Sequence, residues 1–272
     1  MKNKVVVNTN CYHGYSADEA LEGIAKAGFK YVELTATKGW TEHVFVDKSF
    51  LELQRIKDRV KELGLVVVAM SGHTSLMDSA RLNDFINNIH LANFYEAEYI
   101  VSSVGEAHLE DMEHAGEDVV VENLKSFIPY LENYDMKLAL EVHGQDHGSG
   151  RKLKEIISRV ANPRIQIAYD TANAVFYGDV DPVEDLDYCV DWVNYLHLKD
   201  KAGGRQEWDF PALGDGYINI EGVLDVLKRN KNEAPLSIEI EFTQEGPSNL
   251  EEVNEAVKRS GNYLKSLGLE LC

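Results

Sequence analysis

The chain has 272 residues, 44% of them hydrophobic and 27% charged, the composition of a folded globular protein rather than a disordered one. Lys and Arg number 27 against 46 Asp and Glu, and the resulting net charge of −19 repels phosphate backbones and argues against a nucleic-acid partner. No apolar run approaches the ~20 residues of a bilayer-spanning helix, and the opening Met-Lys-Asn-Lys leads directly into Val5-Val-Val7 without a signal-peptide core. A cytoplasmic protein acting on small molecules is expected, with no membrane contact.

In chain order, strands and helices alternate with little between them. Val5–Asn10 reads as a first strand, and Ser16-Ala-Asp-Glu19 is a capping box opening an amphipathic helix that stops at Gly28. Tyr31–Thr35 is a second strand. A helix over 49–63, with Phe50, Leu53, Ile56, Val60 and Leu63 at helical spacing, ends at Gly64. A third strand over 65–70 leads to Ser71-Gly-His73, a helix covers 79–96, and Tyr99–Gly105 is a fourth strand. A helix over 117–133 precedes the fifth strand from Lys137. Helices near 150–160, 182–190, 219–230 and 248–266 follow strands five to eight, Asn219 being the N-cap of the third of these.

The eight strands start near residues 5, 31, 65, 99, 137, 165, 193 and 235, a β-plus-α period of about 33 residues. No Pro/Gly linker divides the chain, so residues 1–272 are expected to form one α/β domain, a (β/α)8 TIM barrel. A doubly wound open sheet is the competitor, but no GxGxxG follows the first strand. Cys11, Cys189 and Cys272 show no metal-binding spacing and read as reduced thiols.

Four late strands share one device. In Lys137-Leu-Ala-Leu-Glu-Val-His-Gly144, Leu138, Leu140 and Val142 take one face while Ala139, Glu141 and His143 take the other. Ile165–Asp170 places Asp170 in the inner phase, Val193–Asp200 places Tyr195, His197 and Lys199 there, and Leu236–Phe242 places Ser237, Glu239 and Glu241 there. Barrel active sites are built at the C-terminal ends of the strands, so these polar ends are expected to meet at one mouth. Buried carboxylates without a cation repel and raise one another's pKa values, whereas three carboxylates and an imidazole around a divalent ion satisfy one another. Oxygen-rich ligands with one nitrogen suit Mn²⁺, Mg²⁺ or Co²⁺, with Zn²⁺ a less suited alternative.

Leu140-Glu-Val-His143, Tyr169-Asp-Thr-Ala-Asn173, His197-Leu-Lys-Asp200, Leu213-Gly-Asp-Gly216 and Ser237-Ile-Glu-Ile-Glu241 occur in this order. In these motifs, over nearly its whole length, the chain resembles the xylose isomerase-like TIM barrels, which include sugar-phosphate isomerases, ketose 3-epimerases and inosose dehydratases. The resemblance implies Glu141, Asp170, His197 and Glu239 as metal ligands, choosing Glu239 over Glu241, and implies Glu141 and Glu239 as the proton-transfer pair. The implied activity is metal-dependent isomerisation or epimerisation of a small sugar or keto sugar through an enediolate. The alternatives are a lyase removing water from a keto-inositol or related keto sugar and a non-catalytic sugar-binding barrel.

Around these, His73, His143, Asn173, Lys199 and Arg205 are candidate substrate contacts. Asn8 and Glu33 read equally as site residues or as interior hydrogen-bonding groups. Trp208 reads as a lid or part of a homo-oligomer contact, and Gly214 and Gly216 as turn residues. Several relatives carry His three residues after the strand-six Asp. Asn173 stands here instead, and an amide holds a hydroxyl but does not shuttle a proton. That departure counts against a close match to the ketohexose epimerases and against the endonuclease IV branch.

Overall fold

A computed structural model describes residues 2–107, 109–111 and 114–272. Eight parallel strands, β1 (Val5–Asn8), β2 (Tyr31–Thr37), β3 (Val66–Ser71), β4 (Tyr99–Ser102), β5 (Lys137–Glu141), β6 (Ile165–Asp170), β7 (Val193–Leu198) and β8 (Leu236–Ile238), pair in sequence order. β1 pairs with both β2 and β8, which closes the barrel. The expected (β/α)8 architecture is the one observed.

The surrounding helices are α1 (Ala17–Lys26), α2 (Phe50–Glu62), α3 (Leu82–Phe94), α4 (Glu117–Asn133), α5 (Gly150–Val160), the single-turn-and-a-half α6 (Thr171–Phe176), α7 (Pro182–Cys189), α8 (Ile220–Arg229) and α9 (Leu250–Ser266). Their starts are written locally. The Ser16–Glu19 capping box forms reciprocally, and the Asn219 side chain accepts from the Gly222 N–H. Gly64, at φ 70°, takes the left-handed conformation that lets the chain leave α2.

Several boundaries differ from expectation. β1 ends at Asn8 because its side-chain oxygen accepts from Asn10 N at 2.9 Å, turning Thr9–Tyr12 into a 3-10 segment. The strand expected over 99–105 ends at Ser102, and the helix expected over 79–96 divides into a 3-10 turn at Ser79–Arg81 followed by α3. Phe50, expected in the buried stripe of α2, is 66% exposed and makes an edge-on contact with the Phe94 ring at the start of the helix.

Two apolar layers hold the fold. The larger lies between the strands' outer faces and the helices, and includes Leu138, Leu140, Ile165, Ile167, Leu196, Leu198, Leu236 and Ile238. The smaller, Val6, Val68, Ala69, Tyr99, Val101, Ala139, Ala168 and Tyr195, fills the barrel axis. Along that axis the side chains change character. Above the apolar plug lie Glu33, Ser71, His197 and Ser237, all buried, and above these the strand-end carboxylates. Among the described residues no helix is long and apolar enough to cross a membrane.

Candidate metal centre and substrate cavity

Strand register sets the first layer of the site. Asp170 on β6 stands directly opposite His197 on β7, and Ser237 on β8 is the partner of His197 on the other side. Glu239 therefore lies one pleat further toward the mouth, where its N–H continues the ladder to Leu198 O at 3.1 Å. Glu141 ends β5, one strand before Asp170. Each of these four buried side chains offers a ligand atom within 4.8 Å of the other three.

The orientations are fixed by outer partners. Asp170 Oδ1 accepts from Ala172 N at 2.9 Å and Asn173 N at 2.8 Å, so the carboxylate is the N-cap of α6. Its other oxygen, Oδ2, faces the cluster, buried and without a hydrogen bond; the nearest cationic atoms, His197 Nδ1 and Lys199 Nζ, are both 3.9 Å away. His197 points Nδ1 into the cluster, 2.7 Å from Glu141 Oε1 and 3.6 Å from Glu239 Oε2. Glu141 Oε2 accepts from His73 Nε2 at 2.7 Å. Asn10 Nδ2 lies 3.1 Å from both Glu239 Oε1 and Glu241 Oε1, and Asn8 Nδ2 donates to Glu239 Oε1 at 3.1 Å.

The electrostatics follow from crowding of like charge out of water. Burial pushes the Asp170 carboxyl well above the usual range; Lys199 opposes the shift, and Glu141 and Glu239 reinforce it. Burial acts the same way on Glu141, but His197 and His73 outweigh it and hold that carboxyl well below the ordinary value. Glu239 is held low by Lys199 and His197 against the cost of burial, while in Glu241 burial prevails over Lys199. His197 and Lys199 would lose basicity through burial alone; their carboxylate neighbours raise both instead. Burial lowers His143 to about 4, against the opposing influence of Glu141 and Glu239.

This arrangement fits a divalent cation. Three carboxylates and one imidazole nitrogen converge, and the unpartnered Asp170 Oδ2 is a buried acceptor for which a cation is the natural partner. The buried Glu, Asp and His cluster could hold one such ion.

The cavity above is lined by Asn8, Asn10, Thr35, Thr37, Ser71, His73, His143, Asn173 and Lys199, and by the aromatic rings of Trp40, Tyr177 and Trp208. Trp40 stacks on His13 with ring centroids 3.8 Å apart and donates from Nε1 to Asn10 Oδ1 at 3.0 Å. Trp208 meets the edges of Phe176 and Phe210. The loop bearing it is tied down by an unforeseen antiparallel pairing of Asp209–Phe210 with Phe242–Thr243.

Of the side chains singled out in the sequence as substrate contacts, His73, His143, Asn173 and Lys199 line this cavity. Asn173 also donates to Val142 O at 3.1 Å. Arg205 is turned elsewhere, with Nη1 3.1 Å from Phe176 O and Nε 3.4 Å from Asp179. Asn10, Thr35, Thr37, Trp40 and Tyr177 were not foreseen. Asn10 has a readable signal, since it follows Asn8 by two residues, but the loop aromatics have none.

A model of the xylose isomerase-like TIM barrel matches residues 21–267. The chain belongs to the xylose isomerase-like TIM barrel family. No curated protein matches it. Among solved structures of this fold, a xylose isomerase domain protein from Planctomyces limnophilus superposes with a TM-score of 0.75 at 19% identity, over 98% of this chain and 96% of that one. The D-allulose 3-epimerase from Methylomonas sp. gives 0.77 at 15% identity, covering 98% of both chains. A probable 3-DHS dehydratase from Bacillus anthracis gives 0.70 at 16% identity, over 94% of this chain and 97% of that one. At these identities the likeness to the solved structures is one of fold.

Proposed function

We propose that this xylose isomerase-like barrel is a divalent-metal-dependent isomerase or epimerase of a small, uncharged keto sugar. The observation that carries the reading is the buried Glu141–Asp170–His197–Glu239 cluster with Asp170 Oδ2 left unpartnered inside it. Mn²⁺, Mg²⁺ or Co²⁺ suits this donor set. An ion held there supplies Lewis acidity toward the neighbouring oxygens of a keto sugar, acidifying the carbon between them.

The remaining work falls to the chain's own groups. Glu141 and Glu239 are the proton-transfer carboxylates: one removes the proton beside the carbonyl, and the same or the other returns it. His73, bonded to Glu141, keeps that carboxylate ionised and aimed. Asn10, Asn173, His143 and Thr37 offer hydrogen bonds to hydroxyls, and the rings of Trp40, Tyr177 and Trp208 present apolar surface to the C–H edges of a sugar.

The absence of charge on the substrate is argued from the lining. The only Lys or Arg among the described residues that line the cavity is Lys199, already surrounded by Glu239, Glu241 and Asp170. The segments 9–16, 103–116, 142–149, 171–181 and 239–249, which follow β1, β4, β5, β6 and β8, contain neither Lys nor Arg. Among the described residues that line the cavity, a phosphate or carboxylate would meet no cation but Lys199, whose charge its own carboxylate neighbours already offset. The solved neighbours whose names specify D-allulose and L-ribulose epimerases are consistent with a free ketose.

Dehydration is the second reading, favoured by one observation: the Lys199 ammonium lines the cavity 3.3 Å from Glu239, where it can donate a hydrogen bond to a departing hydroxyl. Incubation of the Mn²⁺-loaded protein with free ketoses, inososes and their phosphates in deuterated water, followed by NMR, tests the proposal. Deuterium entering a carbon beside the carbonyl of a free ketose, with a new epimer or aldose, supports it. Formation of an unsaturated ketone identifies the lyase, and sugar binding with no exchange a binding protein.

A further inference from the structure

We propose that Glu33 is a positioning residue for His197, fixing which imidazole nitrogen is presented to the cation; this rests on the cation reading above. Glu33 lies on β2 and reaches across the barrel axis to β7, 164 residues later in the chain, with no exposed surface. Its carboxylate oxygens lie 3.1 and 3.2 Å from His197 Nε2. Tyr195 donates to Oε2 at 2.9 Å, Ser237 Oγ donates to the same oxygen at 2.6 Å, and Ser71 Oγ donates to Oε1.

The consequence is one of donor bookkeeping. A carboxylate only accepts, so the imidazole nitrogen facing it must carry a hydrogen. With Nε2 protonated toward Glu33, Nδ1 is the nitrogen left to give its lone pair to an ion among Glu141, Asp170 and Glu239. The three hydroxyls come from β3, β7 and β8 and hold the carboxylate against rotation, so Glu33 transmits the rigidity of the barrel wall to the ring. A carboxylate on the far nitrogen also raises the donor strength of the near one, and losing such a partner typically weakens metal affinity about 10–100-fold. Among the described residues the other carboxylates near His197, those of Glu141, Asp170 and Glu239, lie on its Nδ1 side.

The test uses the full chain with Mn²⁺ as the probe, in wild type, Glu33→Gln and Ser237→Ala. Calorimetric Mn²⁺ titration is paired with ¹⁵N NMR of the histidine rings, using Zn²⁺ in place of Mn²⁺ to avoid paramagnetic broadening. Expected are a Glu33→Gln protein with an unchanged circular dichroism spectrum and affinity reduced about 10–100-fold, and a Ser237→Ala protein with a smaller loss, one of the three hydroxyls that hold Glu33 being removed. In the loaded wild type, His197 should carry its proton on Nε2. Glu33→Gln binding Mn²⁺ as tightly as wild type, or a loaded His197 protonated on Nδ1, overturns the assignment while leaving the cation site intact. A wild type that takes up no divalent ion removes the site itself. If Glu33→Gln does not fold, the tautomer in wild type decides alone.

Discussion

Lys199 holds its ammonium 2.6 Å from Glu241 Oε2, with both side chains buried. That contact separates two carboxylates that share a face of the last strand: Glu239 faces the cluster, while Glu241 serves as counter-ion to the lysine. Glu239→Gln is therefore expected to abolish Mn²⁺ uptake, and Glu241→Gln to retain it, as read by calorimetry. Removing one partner of a buried pair typically costs about 3–5 kcal/mol, so Lys199→Met should unfold at markedly lower denaturant. Lys199→Met combined with Glu241→Leu should recover part of the loss. No recovery in the double variant would show that the lysine is held mainly by Glu239 and Asp170.

Asp170 performs two tasks with two oxygens, and asparagine can do one of them. An Asn at this position still caps α6, so Asp170→Asn should keep its metal-free stability within about 1 kcal/mol of wild type. The inward oxygen loses its charge, and the variant should show no gain in melting temperature with Mn²⁺. Wild type should gain about 2.7 kcal/mol at an ion concentration 100 times the dissociation constant. Because burial and its neighbours hold Asp170 in its protonated form to unusually high pH, ion uptake displaces a proton and the apparent affinity should fall as pH is lowered. Calorimetry in buffers of different ionisation enthalpy measures the released proton; none released would contradict this account.

Asp200, next to Lys199 in sequence, anchors the loop that carries Trp208. Its Oδ1 accepts from Lys201 N at 2.8 Å and Ile218 N at 3.0 Å, and its Oδ2 from Gly214 N at 2.9 Å and Gly216 N at 3.0 Å. Asp200→Ala strands these amides and should cost about 3 kcal/mol. Hydrogen exchange at residues 214–218 should accelerate ahead of the strands, and the Michaelis constant should rise more than turnover falls. Uniform acceleration over the whole chain would point to global destabilisation instead.

His43 gives the fold an acid-sensitive point away from the site. Burial lowers it to about 4, Nε2 lies 3.0 Å from Tyr15 O, and Nδ1 has no partner. The unfolded chain protonates this group near pH 6.5 and the folded one near 4, so its stabilising contribution is complete above 6.5 and declines as pH falls through that window. His43→Gln removes the effect. The stability difference between wild type and variant should shift against wild type by about 2 kcal/mol from pH 7 to pH 5, measured by urea unfolding. An unchanged difference at the two pH values would place the acid sensitivity elsewhere.

The alternation of side chains along each strand already determines the barrel. Two-residue periodicity assigns Leu138, Leu140, Leu196 and Leu198 to the helix-facing layer and Glu141, Asp170 and His197 to the interior, and it needs no knowledge of the neighbours. Helix starts are equally local, since Ser16 and Asn219 each cap through an amide three residues on. What periodicity cannot supply is distance across the barrel. Only the closed structure shows that Glu33 meets His197, that Lys199 takes Glu241 rather than a substrate group as its nearest counter-ion, and that Arg205 turns toward Asp179. The cavity's aromatic wall belongs to the same class, because Trp40 and Tyr177 sit on loops whose courses are set by contacts with distant segments. A strand's phase is written in its own residues, whereas the partner of a buried charge is chosen by which strands the barrel brings to face it.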